Sequence, residues 1–133
     1  MRLLLRLMVV LALMAPGVAR ADEGAVRDVI AQQIDAFQRD DFDEAFSHAS
    51  PMIQNMFGTA DSFGAMVRGD YPMVWRPEAI RFGLLRQDGD VYYQQVVLGG
   101  EGRTYVAEYE VLQLDGVWLI NGVQLLPEAG AGA

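Results

Sequence analysis

The chain has 133 residues, no cysteine, no lysine, and ten arginines against 18 acidic side chains, for a net charge of −8. That length fits a single domain. The missing cysteine excludes disulfide staples, thiol catalysis, a lipoprotein anchor and cysteine-held zinc, and the acidity opposes binding to nucleic acid or to an anionic membrane surface.

The first 21 residues read as an export signal. Arg2 and Arg6 give a positive start, Leu7 to Met14 is an unbroken apolar run, and Pro16-Gly17 breaks it. Ala19-Arg20-Ala21 then offers the small-x-small pattern of a signal-peptidase site. The apolar run is shorter than the roughly 20 residues that span a bilayer. Cleavage after Ala21 is therefore expected, giving a periplasmic or secreted domain over residues 22–127 and a small flexible tail over 128–133. Three of the arginines precede the cut and all 18 acids follow it, so the mature chain carries a net charge of −11.

Up to about Pro77 the apolar residues recur with a helical period. Val26, Ile30, Ile34 and Phe37 form one stripe of a first helix. Asp41 can cap a second helix carrying Phe42, Ala45, Phe46 and Ala49. Ser50-Pro51 predicts a cap and first turn for a third helix running to Phe57, closed by Gly58. Asp61 starts a fourth, with Phe63, Met66 and Val67, closed by Gly69. Tyr71 to Pro77 reads as an irregular connector, because Pro72 and Pro77 disfavour helix in the residue before each.

Alternation then predicts four strands over Ala79–Arg86, Val91–Leu98, Arg103–Leu114 and Val117–Leu126. The separators are Asp88-Gly89, Gly99-Gly100-Glu101-Gly102 and Asp115-Gly116. Turns this short make an antiparallel meander. Setting Leu114 opposite Val117 and Leu98 opposite Arg103 collects Tyr92, Val96, Tyr105, Tyr109, Val111, Trp118 and Ile120 on one face. The other face collects Phe82, Leu84, Tyr93, Val97, Val106, Leu112, Leu119 and Val123. Both faces are apolar, whereas a sheet wet on one side shows one. The helices are expected on the Trp118 face. A second copy is expected on the other, making a homodimer through the outer face of the sheet.

The fold class is thus α+β, with three to four N-terminal helices on a curved four-stranded antiparallel sheet. Ile34-Asp-Ala-Phe37, Ala45-Phe46, Ala49-Ser-Pro51, Met56-Phe-Gly58, Tyr71-Pro72, Arg76-Pro77, Phe82-Gly83, Gly102-Arg103 and Gly116-x-Trp118-x-Ile120 resemble domain-of-unknown-function family 4864. The order of elements resembles the nuclear-transport-factor-2-like cone superfamily. The resemblance implies a cone fold and no particular chemistry, since that superfamily holds enzymes and non-enzymes alike. Its ketosteroid isomerases pair an aspartate base with a tyrosine and a protonated acid, and its dehydratases use histidine and aspartate. Neither set maps onto this chain, whose first helix carries Phe37 and whose single histidine is His48.

Glu108 and Glu110 alternate onto one strand face near Tyr93 and Asn121 and are the weak catalytic candidates. Two carboxylates beside a phenol can do acid–base work in a closed cavity, and the same spacing also describes a solvated strand face. His48 lacks a second histidine or any cysteine and makes a poor metal ligand. Arg81, placed with Leu85 on the inner face, is a candidate for an anion at a pocket mouth. Phe37, Tyr71, Trp75, Tyr105 and Tyr109 are the candidate ligand-binding residues, as aromatics inside a tapered cone suit a small apolar ligand. No cofactor and no metal are expected. The reading is a non-catalytic exported module that binds a small apolar ligand or a protein. The alternative is a cofactor-independent isomerase, dehydratase or hydrolase with a carboxylate in the cone.

Overall fold

In the computed structural model, which describes residues 17–127 and their side chains from Ala21 onward, helices precede and cover one face of a four-stranded sheet. The charged and apolar parts of the expected leader, and the tail over 128–133, lie outside the described residues. The helices are α1 (Gly17–Gln38), α2 (Phe42–Ser47), α3 (Pro51–Phe57), α4 (Ala60–Asp70) and α5 (Pro72–Trp75). The strands are β1 (Ala79–Asp88), β2 (Val91–Gly100), β3 (Arg103–Leu114) and β4 (Val117–Leu125), in spatial order β1-β2-β3-β4.

The caps follow the side-chain chemistry. Asp41 accepts from the Glu44 N–H, Ser50 from the Ile53 N–H and Thr59 from the Ser62 N–H. Gly58, at φ +77°, closes α3 in the left-handed region where a Cβ would be strained. Three boundaries differ from the expectation. Helix α4 is capped by Thr59, with Asp61 in its first turn, and it runs through Gly69 to Asp70. Helix α2 stops at Ser47, which frees Ala49 to bridge to Ile120 beside β4. The Tyr71–Pro77 connector contains α5. Tyr71 and Arg76, each before a proline, are indeed non-helical. Pro72, pre-set for a first helical position, starts one turn between them. That turn is tied to the end of α1. Asp40, at φ +54°, accepts from the Trp75 indole N–H at 3.0 Å and from Arg76 at 2.9 Å.

The sheet is a meander closed by two-residue turns. Glu101-Gly102 and Asp115-Gly116 both take positive φ, the geometry of a type I′ hairpin. The first turn differs from its expected form. Asp88 pairs with Val91, so Gly89-Asp90 are its central residues and only Gly89 has positive φ. Leu98 lies opposite Tyr105, and Gly100 opposite Arg103. The expected β2–β3 register is thus two residues off, a shift that preserves the faces because side chains alternate with period two.

The helices pack on the Trp118 face. Tyr92, Val96, Leu98, Ala107, Tyr109, Val111 and Ile120 are buried there together with Val26, Ile30, Ile34 and Phe37 of α1. Two bulges correct the face assignment. One between Phe82 and Leu85 turns both of those side chains inward and Leu84 outward, leaving Leu84 74% exposed. The other, after Glu110, turns Val123 inward. Arg81, opposite Val97, is exposed on the outer face rather than beside Leu85. Gln94 secures the first bulge: its buried side-chain amide donates to the carbonyls of Gly83 at 3.1 Å and Leu84 at 3.3 Å. The β4 edge is covered by the segment before α3, where Ser50 N–H donates to Ile120 O and Ile120 N–H to His48 O, both at 2.8 Å. The opposite edge, β1, carries the bulge and two arginines, features that discourage pairing with a further strand.

Candidate ligand-binding cavity

An apolar cavity lies among the helices and against β4, not between α1 and the middle of the sheet. It has a volume of about 260 Å³. Its wall is almost wholly apolar and combines Phe37 of α1, Ile53 and Met56 of α3, Phe63 and Val67 of α4, Val74 of α5 and Val123 of β4. Phe63 is the centre of an aromatic cluster, 5.8 Å from Phe37, 5.3 Å from Phe46 and 5.6 Å from Phe57 between ring centroids. Helix α3 forms one side of the cavity and buries none of its own residues; Met52 and Met56 are more than half exposed. It is held by its caps and by Gln54, whose side chain donates to the carbonyls of Phe46 and Ala49, both at 3.1 Å.

Of the five expected ligand-binding residues, Phe37 and Tyr71 stand on this wall. The other three do not. Trp75 is engaged with Asp40 beyond the end of α1. Tyr105 packs against the core from the inner face of β3. Tyr109 is 0% exposed, and burial pushes its phenol well above the ordinary tyrosine range. Its hydroxyl is sealed and makes no hydrogen bond to a described residue. It fills the core.

The polar wall residue that periodicity did not single out is Gln33, 2% exposed on α1. Its signal was present in the sequence. It falls between Ile30 and Phe37 on the apolar stripe, where an amide has no place unless something satisfies it. Its Nε2 donates to the carbonyl of Ala45 at 3.1 Å, joining α1 to α2.

Glu108 and Glu110 are on the outer face, turned away from the helices and off the walls of both cavities described here. Glu110 accepts from the Tyr93 hydroxyl at 3.2 Å and from Asn121 at 2.6 Å. Asn121 in turn accepts from the Ser50 hydroxyl at 2.7 Å. Glu108 faces Arg86 at 3.4 Å, and the Arg86 guanidinium lies 4.1 Å from the Tyr93 ring centre. Hydrogen bonding to Glu110 raises the Tyr93 phenol. This is a network across all four strands and the start of α3.

His48 stands at the end of α2. Burial lowers its imidazole below the usual histidine range, with Glu44 opposing. Among the described residues no group of three or more histidines and acids is placed to hold a metal. A second, polar hollow of about 240 Å³ lies at the other end of the sheet, between Asp22, Asp90, Tyr92 and Trp118. There the Tyr92 hydroxyl donates to Asp22 at 2.9 Å, and the Tyr92 and Trp118 rings meet edge to face at 5.3 Å.

No curated protein matches the sequence. Among solved structures, the chain is similar to an NTF-2 like protein of unknown function from Burkholderia xenovorans LB400. The identity is 14%, over 83% of this chain and 90% of that one, with a TM-score of 0.49. A family model described as a domain of unknown function, DUF4864, matches residues 19–133. The chain belongs to that family.

Proposed function

We propose that this protein is an exported, non-catalytic module that binds a small apolar ligand in the cavity between α1, α3, α4 and β4. The observation that carries the reading is the chemistry of the wall. Among the described residues its side chains are aliphatic, aromatic or thioether, relieved only by Gln33 and Tyr71, with no acid, arginine or histidine. Such a surface gains by excluding water and offers no group suited to general acid–base work near neutral pH. Export is supported by the leader-like first 21 residues.

Size narrows the ligand. A dry cavity of about 150 Å³ takes one benzene ring, so 260 Å³ suits roughly a fused bicycle or a short branched chain. Native mass spectrometry of protein purified from its own host tests the reading. A bound small molecule should appear and be lost in Val67→Phe, which fills the cavity from α4. Wild-type protein that emerges empty, and then fails to take up naphthalene, contradicts it.

The module is proposed to work as a homodimer through the outer sheet face. The support is a surface of Leu84, Val97, Val106, Leu112 and Leu119 that no described helix covers. It carries charges of both signs, Arg86 beside Glu108, so a two-fold copy can meet it in a self-complementary way. Light scattering should give the dimer mass, and Val106→Glu should give the monomer. A wild-type monomer at micromolar concentration refutes this part.

A further inference from the structure

We infer that the cavity selects an uncharged apolar ligand bearing one hydrogen-bond donor, a hydroxyl or amide N–H, and receives that donor at the side-chain oxygen of Gln33. This rests on the apolar-ligand reading above and specifies its chemistry.

The Gln33 amide has a fixed orientation. Its partner, the Ala45 carbonyl at 3.1 Å, can only accept. The NH2 end therefore faces Ala45, and Oε1 is directed elsewhere. Among the described residues nothing donates to Oε1. The sealed polar atoms without partners are the Tyr109 hydroxyl, Gln94 Oε1 and His48 Nε2. Gln33 Oε1 is not one of them, although Gln33 as a whole is 2% exposed. Gln33 stands on the cavity wall among apolar neighbours. The result is an acceptor with no donor among the described residues, carried by a cavity-wall residue in an otherwise apolar surround and left for a ligand seated there.

Two facts decide the ligand's charge. Among the described residues no acid, arginine or histidine is on the wall, so neither a cation nor an anion finds a counter-charge there, and the net charge of −8 opposes an anion further. A carboxylate or phosphate placed there would lose its hydration, gain no counter-charge and face the lone pairs of Oε1. A neutral hydroxyl loses less and replaces its water with the amide oxygen. A single net hydrogen bond of this kind corresponds to roughly three- to tenfold in affinity.

The experiment is a calorimetric or fluorescence titration of the purified protein with four probes of one skeleton: naphthalene, 2-naphthol, 2-methoxynaphthalene and 2-naphthoate. The expected result is that 2-naphthol binds roughly three- to tenfold tighter than naphthalene. The carboxylate should show no binding, and in Tyr71→Phe, which removes the other polar group on the wall, the methoxy compound, an acceptor only, should gain nothing over naphthalene. In Gln33→Met the advantage of 2-naphthol over naphthalene should vanish. If that variant does not fold, the wild-type series decides alone. Equal binding of 2-naphthol and naphthalene, or tighter binding of the methoxy compound to Tyr71→Phe or of the carboxylate, overturns the inference and leaves the apolar-ligand reading intact. Failure of all four probes removes both.

Discussion

Replacing Tyr109 by phenylalanine should stabilise the protein. Tyr109 is 0% exposed on the inner face of β3, opposite Gln94 and Val123. Its hydroxyl is sealed without a partner among the described residues. A hydroxyl taken out of water and given no hydrogen bond costs about 1–3 kcal/mol. Phenylalanine keeps the ring and its contacts, so the change removes that cost without opening more than the space of one oxygen. A net gain of about 1 kcal/mol is expected. For a domain of this size, with a urea slope of about 2 kcal/mol/M, that gain moves the unfolding midpoint up by about 0.5 M. Urea unfolding followed by tryptophan fluorescence reads it, with the slope unchanged. A midpoint lowered by about 0.5 M or more would refute the reasoning, because the hydroxyl would then have a partner worth more than its burial costs, such as an ordered internal water.

Alkaline stability follows from the same residue and its neighbours. Burial raises the phenols of Tyr109 and Tyr92, and the bond to Glu110 raises Tyr93. The folded state thus holds protons that the unfolded chain gives up near pH 10. The stabilisation is complete below pH 10 and lost as pH rises beyond it. Unfolding midpoints measured from pH 8 to 11 should stay level and then fall; a rise above pH 10 contradicts this. Ser50→Ala should cost about 1–2 kcal/mol, since it removes the α3 cap and the 2.7 Å bond to Asn121. Hydrogen exchange should show the loss first in α3, the helix that buries no residue of its own. Asp40→Ala should free the Trp75 indole, now bonded at 3.0 Å, and shift its fluorescence without changing ligand uptake.

The strands were legible because their signals are local. Glu101-Gly102 and Asp115-Gly116 take the positive φ that their turns require, and alternation between such turns fixes which face each residue takes. That is why a two-residue error of register left Tyr109 and Trp118 on the correct side. The bulges were not legible. The one between Phe82 and Leu85 depends on Gln94, a residue on the neighbouring strand, reaching the carbonyls it exposes. No reading of β1 alone contains that partner. The same holds for Val123, which turns inward because the chain gains a residue opposite Glu110. Helix α5 was hidden because both prolines correctly predicted non-helical residues before them, and one turn fits in the gap.

Candidate residues on the cavity wall were legible only where a local pattern and a tertiary position coincide. Phe37 ends the α1 stripe, and the cavity reaches only that end of it. Tyr105 and Tyr109 share its apolar character but face the core, where neighbouring strands fill the space around them. Trp75 was placed in a cone, yet a left-handed turn at Asp40 captures its indole first. Whether an aromatic residue lines a cavity or fills the core depends on where α3 and α4 settle, which is set by Ser50, Gly58 and Thr59 acting together. Gln33 shows the converse: an amide interrupting an apolar stripe is a readable anomaly, and its meaning emerges only with Ala45 in place.

The most direct test of the account is the crystal structure of the protein soaked with naphthalene. The account predicts a flat bicyclic density enclosed by Phe37, Ile53, Phe63 and Val67, with α3 kept in position. Density found only on the outer sheet face, or a cavity that stays empty at saturating naphthalene while the crystal remains intact, would contradict it.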